Sequence, residues 1–379
     1  MSGEGKLVVL QLVANRWWTG SADPVIQLSR GLEHGGHRVL LGLIPGDRFE
    51  EKARAAGLAP LEGLSLEARL RPIAFVRDLT RLRRLVAAEG VDVVHTHHSH
   101  DQWLGWLCRG RAALVRSFHS ARAVSGGWAA AALHRRTDAV IAVSDAIAAR
   151  CREAGVAEAR VFRVGGVTDV ARFVDAGGGE QVRKEFGLDP GPVVGSVARL
   201  APGRGHEPLI RGFARLLSLR PHVRLLLIGK GEMRARLERL VADLGLAGHV
   251  LFAGYRDADL PAVLDALDVF VLMGAGSDES CRAAIEAMAA GRPVVARRVG
   301  ALGETVAHGS TGLLLDDDRP ESVERTLAEL LDDPGRARRM GEAGRQRALA
   351  AFTRERHAAE VEAVYRVALA SAAARAGRR

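Results

Sequence analysis

The stretch VDVVHTHHSH, residues 91–100, places His95, His97, His98 and His100 within six positions of a chain that has thirteen histidines in all. Imidazoles so close together can ligate a metal, move protons, or line a polar rim. A zinc site needs three or four convergent ligands, and no cysteine or carboxylate stands at a spacing that completes one here. Cys108, Cys151 and Cys281 are far apart and form neither a CxxC pair nor a disulfide framework. Asp316, Asp317 and Asp318 follow GLLL as an acidic run, which reads as a solvated loop rather than a metal site. The second suggestive spacing is Arg199 and Arg204, two guanidiniums just ahead of a helix beginning near Pro208. Positive charge followed by the free N–H groups of a helix start suits an anion.

The elements that must position these residues alternate in kind. LVVLQLV (7–13), RVLLGLI (38–44), VDVVH (91–95), ALVRSF (113–118) and AVIAV (139–143) are continuously apolar, as strands buried on both faces are. Between them, 24–34, 75–89 and 145–154 have helical periodicity. The rhythm restarts at PVVGSVA (192–198), VRLLLIG (223–229), HVLFAG (249–254), VFVLM (269–273) and PVVA (293–296), with helices over 208–220, 233–244 and 282–290. This predicts an α/β chain of two doubly wound parallel sheets. The domains fall at 1–172 and 173–352, followed by a helical tail over 353–379. The glycine-rich stretch DVARFVDAGGGEQVRKEFG, 169–187, is the expected linker. Ligands of open parallel sheets bind outside the carboxyl ends of the strands. Two such domains with those edges facing would enclose a cleft, with the histidines after VDVVH at its lip.

Composition narrows the function classes. The net charge is +9, yet only Lys6, Lys52, Lys184 and Lys230 are lysine, so the excess is arginine. It suits acidic substrates or the surface of an anionic membrane. No basic run interleaves with aromatics as a single-strand platform requires, so no nucleic-acid partner is expected. The three dispersed cysteines fit a reducing, cytoplasmic setting. The apolar start LVVLQLV is too short for a signal peptide, and no stretch approaches a membrane span. A protein of this kind would meet a membrane from the inner side, peripherally.

The order of motifs resembles the GT-B glycosyltransferases of family 4, the group 1 glycosyltransferases, over essentially the full length. TGSADPVIQLSRGLEHGGHRVLLG is similar to the family's glycine turn, helix and GHxV. DVVHTHHSHDQWLGWLCR, VRSFHS and VIAVSDAIAARC leading to GGVTDVARF follow in the expected order. In the second half, VARLAPGRGHEPLIRGF and LLLIGKGEMRARLERLVADLGLAGHVLFAGY carry the match. The most specific piece is DVFVLMGAGSDESCRAAIEAMAAGRPVVARRVGALGETVAHGSTGLLL. The fold implied is two Rossmann-like domains facing across a cleft, with the C-terminal helix crossing back to the first.

The resemblance also implies roles. Arg199 and Arg204 match the pair that holds the donor diphosphate, although Arg204 stands where lysine is usual, and the two differ in geometry. Glu286 matches the carboxylate that accepts from the nucleotide ribose hydroxyls, for which its two oxygens are suited. Eight residues earlier the family has a glutamate on the donor sugar. Here that position is Asp278, followed by Glu279, and either could make the contact. Ser280, Cys281 and Arg282 are expected to present a helix start to the sugar and phosphates. Gly20 and Ser21 occupy the first glycine turn, where backbone approaches the donor phosphate or the acceptor. Trp17 and Trp18 before it could stack on a sugar, or simply pack. His119 matches a histidine that reaches the donor sugar, and His97 lines the acceptor side. His95 is expected to be a structural hydrogen-bonder, and His98 and His100 to lie at the surface or the acceptor side. The reaction implied is transfer from a nucleoside-diphosphate sugar to an acceptor hydroxyl with retention at the anomeric carbon. No metal or other cofactor is expected. The acceptor would be a sugar or a lipid-linked glycan, as in polysaccharide or lipopolysaccharide synthesis. Rival readings are a nucleotide-sugar 2-epimerase on the same scaffold and a non-catalytic nucleotide-sugar binder.

Overall fold

The computed structural model describes residues 5–15, 22–67, 72–124, 126–188, 190–276 and 279–377. The chain divides into two compact units. The first comprises Met1–Val167, Ser277–Glu279 and Arg354–Arg379, the second Thr168–Gly276 and Ser280–Thr353.

The first unit holds β1 (Val8–Val13), β2 (Arg38–Leu43), β3 (Val93–Thr96), β4 (Ala113–Phe118), β5 (Ala139–Ala142) and β6 (Val161–Arg163). They form one sheet in the order β2-β1-β3-β4-β5-β6, every neighbouring pair parallel. Strand order reverses between β1 and β3, so the crevice of the doubly wound design lies beyond Val13 and Thr96. One face of the sheet packs on the C-terminal helix Arg354–Ala376, whose Val361, Val364, Tyr365, Ala368 and Ala372 join Leu28, Leu32, Val93 and Val115 in one core cluster. Gly31 of helix Ala22–His34 lets the two helices close. A Cβ there would lie 2.7 Å from that of Ala358 and 2.8 Å from the Arg354 carbonyl oxygen.

The second unit holds β7 (Val193–Val197), β8 (Arg224–Ile228), β9 (Val250–Gly254), β10 (Val269–Leu272), β11 (Val294–Arg297) and β12 (Gly312–Leu315). These pair in parallel in the order β12-β11-β10-β7-β8-β9. The reversal falls between β7 and β10. Its crevice lies beyond Val197 and Leu272, among the turns 198–205 and 273–276.

The stretch expected as a linker is built into the second unit instead, and the division falls at Val167/Thr168 rather than at 172/173. Val170 and Phe173 are buried with Val182 and Leu188, and the third glycine of the run starts the helix Gly179–Phe186. Its first N–H donates to Asp265 Oδ2 at 3.0 Å. A few apolar residues at the right spacing suffice to anchor a segment whose average composition reads as polar. Short β6 and β12 and the helix Ser99–Cys108 were also not expected. Among the described residues no helix is long and apolar enough to cross a membrane.

Candidate functional site

In the second unit, Arg199 follows β7, and its Nη2 lies 3.0 Å from Glu232 Oε2 in the turn after β8. The Arg199 carbonyl accepts from His206 Nε2 at 3.1 Å, which ties the turn to the start of helix His206–Leu219. The Glu232 carboxylate is held below its usual range first by its own backbone N–H, then by Arg199 and Arg204. Both arginines therefore face one spot. Arg204 lies over Gly276, whose φ is +89°, and a Cβ on Gly276 would fall 1.6 Å from Arg204 Nη1. The guanidinium end is flexible, so Gly276→Ala should push Arg204 away, at a cost of about 1–2 kcal/mol in stability for a Cβ at positive φ. Nucleoside-diphosphate affinity, read by calorimetry, should fall by roughly tenfold or more, as losing one charge-assisted contact implies.

Glu286 is buried on helix Arg282–Ala289, where its Oε1 sits 3.1 Å from Arg282 Nε and accepts from Thr168 Oγ1 at 3.5 Å. Ser280 and Cys281 are buried just before this helix. Cys281, at φ +56°, is the residue at its N-terminus, and its side chain makes no capping hydrogen bond. The N–H groups of a first turn have no partner within the helix, so an anion arriving there would meet oriented donors.

In the first unit, the residues beyond β3 and β4 form a buried imidazole group. His97 Nδ1 is 3.2 Å from His119 Nε2, and His97 Nε2 is 2.8 Å from Gln11 Oε1. His95 Nδ1 is 2.7 Å from Tyr365 Oη, and its Nε2 is 2.8 Å from Ser117 Oγ. Burial, reinforced by the neighbouring histidines, holds the pKa values of His95 and His97 well below that of a free imidazole. Asp101 lies beside them, fully buried. It accepts from the N–H of Ala14 at 3.0 Å and of His98 at 2.8 Å, so it ties together the segments that leave β1 and β3. Its partner in charge is Arg116 of β4, also buried, with Nη1 3.8 Å away and the guanidinium 4.6 Å from the Phe118 ring centroid. Burial pushes the Asp101 pKa up to about 6.

The comparisons bear on both units. The family model Glycosyl transferases group 1 matches residues 180–347, and Glycosyltransferase Family 4 matches 19–172. Over 287 residues the chain is 34% identical to the GDP-mannose-dependent alpha-(1-6)-phosphatidylinositol monomannoside mannosyltransferase of Mycolicibacterium smegmatis, covering 71% of this chain and 75% of that protein. The chain belongs to the group 1 glycosyltransferases. Another relative is the D-inositol 3-phosphate glycosyltransferase of Rhodococcus jostii, 31% identical over 73% of this chain and 67% of that one. Among solved structures, Anabaena Alr3699/HepE in complex with UDP and glucose has a TM-score of 0.80 at 20% identity, over 95% of this chain and 99% of that one. At that identity the likeness shows the fold.

In this glycosyltransferase, Arg199 and Arg204 stand at the switch point of the second sheet, in the same unit as Ser280, Cys281, Arg282 and Glu286. His97 and His119 meet in the first unit. Glu279 is engaged there too. Its Oε1 accepts from Ser120 Oγ at 3.0 Å and the Ala121 N–H at 2.9 Å, while its own N–H donates to the His119 carbonyl at 2.8 Å. Its carboxylate thus braces the turn after β4, a use its sequence position did not suggest. Gly20, Ser21 and Asp278, like Trp17 and Trp18, lie outside the described residues. His95 makes hydrogen bonds through both ring nitrogens, as expected, and His98 and His100 are half-buried. Asp316 pairs with Arg298, Asp317 with Arg319 and Asp318 with Arg297, so the acidic run is spent on arginines. Among the described residues no three of His, Cys, Asp and Glu converge as a metal-binding group.

Gln11, Asp101, Arg116, Thr168, Glu232 and Tyr365 were missed as site partners. Two of them carried a signal. Gln11 is the one polar residue in LVVLQLV, and Arg116 the one charge in ALVRSF ahead of the serine. A polar group inside a buried strand must find a partner.

The imidazoles also set an acid limit. Burial lowers His98 to a pKa of about 3 and His357 to about 4, below the unfolded value near 6.5. The folded unit therefore binds fewer protons than the unfolded chain, and stability is complete above pH ~6.5 and lost as the pH falls. At pH 5 each costs about 2 kcal/mol, while Asp101, raised in the fold, offsets about 1 kcal/mol in the opposite sense. Urea unfolding should show this loss between pH 7 and pH 5, and His357→Gln should flatten it.

Proposed function

We propose that this protein transfers a sugar from a nucleoside-diphosphate donor to an acceptor hydroxyl, with retention and without a metal. The observation that carries the reading is the grouping of Glu286 and the Arg199/Arg204 turn in one unit, at the strand ends where a doubly wound sheet takes a nucleotide. Glu286 accepts the ribose hydroxyls, and the two arginines take the diphosphate. The helix start at Cys281 adds backbone dipoles to the same charge. In the transfer, the bond between the anomeric carbon and the phosphate oxygen breaks and the acceptor oxygen bonds on the same face. The acceptor proton passes to the departing phosphate, whose negative charge the arginines stabilise. His119 supports the donor sugar and His97 stands behind it.

The relatives named for phosphatidylinositol mannoside and inositol phosphate support an acceptor that is a polyol or glycan next to an anionic group. Peripheral contact with an anionic membrane belongs to this reading. Ile73 is 85% and Val76 59% exposed on helix Pro72–Ala88, which also exposes Arg77, Arg81 and Arg84. Ile73→Asp/Val76→Asp should lose sedimentation with vesicles containing phosphatidylglycerol; equal binding by the variant would remove this surface from the account.

The test is calorimetric titration with a panel of nucleoside diphosphates and their sugars, chelator present throughout, followed by NMR of the product's anomeric configuration. The panel must include guanosine and uridine nucleotides, since a relative is named for GDP-mannose and a structural neighbour holds UDP. Binding of one nucleotide and a retained anomer supports the reading. Folded protein that binds none of them sinks it.

A further inference from the structure

We propose that Tyr365 and Gln11 are positioning residues that set the tautomer of His119, acting through His97. The hydrogen-bonded chain runs His119–His97–Gln11–Tyr365–His95–Ser117 and lies wholly within the first unit. Tyr365 enters it from the C-terminal helix, 354 positions from Gln11.

Such a chain can be polarised in two directions, and its distances select one. Gln11 Nε2 to Tyr365 Oη is 3.3 Å, long for a hydroxyl donor but close to the range of an amide N–H. Tyr365 Oη to His95 Nδ1 is 2.7 Å, suited to the phenol O–H donating to a ring lone pair. The Gln11 amide therefore turns its N–H toward the tyrosine and its Oε1 toward His97 Nε2, 2.8 Å away. An oxygen acceptor requires a proton on His97 Nε2. Burial keeps His97 neutral, so its Nδ1 carries the lone pair. At 3.2 Å, that lone pair requires a proton on His119 Nε2. His119, when neutral, is left with its lone pair on Nδ1, the arrangement for accepting from a sugar hydroxyl. With the amide reversed, every proton in the chain moves and His119 would present an N–H there instead. The tyrosine hydroxyl can donate or accept, and it is its long contact to Gln11 and short one to His95 that favour the first direction.

The consequence for turnover rests on the reading of His119 given above; the tautomer does not. Protein labelled with 15N-histidine would be examined by NMR, with His119→Gln and His97→Gln assigning the two signals. Protonation of Nε2 on both rings is expected in the unaltered protein. Tyr365→Phe should split or reverse this pattern and lower kcat roughly ten- to a hundredfold, with KM changed by less than about twofold, as loss of a supporting partner of a functional histidine does. Gln11→Met, which cannot polarise the chain at all, should do the same. A proton on His119 Nδ1 in the unaltered protein would overturn the proposal, and so would an unchanged pattern in a folded Tyr365→Phe. A changed tautomer with full activity would uphold the positioning and refute the role given to His119.

Discussion

Glu286→Ala is expected to weaken nucleotide binding by about 100- to 1000-fold, since two charge-assisted hydrogen bonds from ribose hydroxyls are worth about 3–4 kcal/mol together. The loss should appear in calorimetry and in kcat/KM alike. The variant should stay folded. The carboxylate is buried, with Arg282 at 3.1 Å and Thr168 at 3.5 Å, and both partners reach it from elements held by other contacts. Alanine is also the best helix former in place of a glutamate on Arg282–Ala289. Glu286→Gln keeps one acceptor and should fall between the two. Equal affinity in Glu286→Ala and the unaltered protein would remove the residue from the donor site, whatever the family likeness.

Asp101→Ala should be the most damaging substitution for folding among those considered. It strands the buried guanidinium of Arg116 and leaves the N–H groups of Ala14 and His98 without their acceptor. Breaking one partner of a buried ion pair costs about 3–5 kcal/mol, which lowers Tm by roughly 10 °C in a unit of this size. Adding Arg116→Met should recover part of the loss, because it removes the uncompensated charge. A drop in Asp101→Ala that Arg116→Met does nothing to relieve would assign the cost to the two N–H groups instead. The effect should extend to turnover, since Ala14 and His98 begin the segments that leave β1 and β3 at the switch point of the first sheet.

Much of the architecture was legible in the chain. Runs such as VVLQLV and VVGSV are apolar on both faces but for Gln11 and Ser196, as a strand covered on both sides is. The ordered motifs identified the family, and Arg199, Arg204 and Glu286, which the resemblance singled out, fall in one unit. The acidic run Asp316, Asp317 and Asp318, expected to be a solvated loop, pairs at the surface with Arg298, Arg319 and Arg297.

The linker was misread for a physical reason. Three glycines lower the average hydropathy of 169–187, but Val170, Phe173 and Val182 are spaced to reach one core, and a few buried side chains outweigh composition. Glu279 illustrates a second limit. Its position beside Asp278 suggested the donor sugar, yet the Ser120 hydroxyl and the Ala121 N–H, 159 and 158 positions away, hold its carboxylate.

The sequence by itself determined the two doubly wound sheets, the family and the charged residues of the nucleotide turn, because periodicity and local motif order are written in neighbouring residues. Only the tertiary structure decided what each buried polar atom meets. Periodicity marked Tyr365 as a core position of the tail, which it is, but it says nothing of a hydroxyl's partner. Folding the last helix onto the first sheet sets that phenol between Gln11 and His95, and their hydrogen bonds choose how the imidazoles beyond β3 and β4 are protonated.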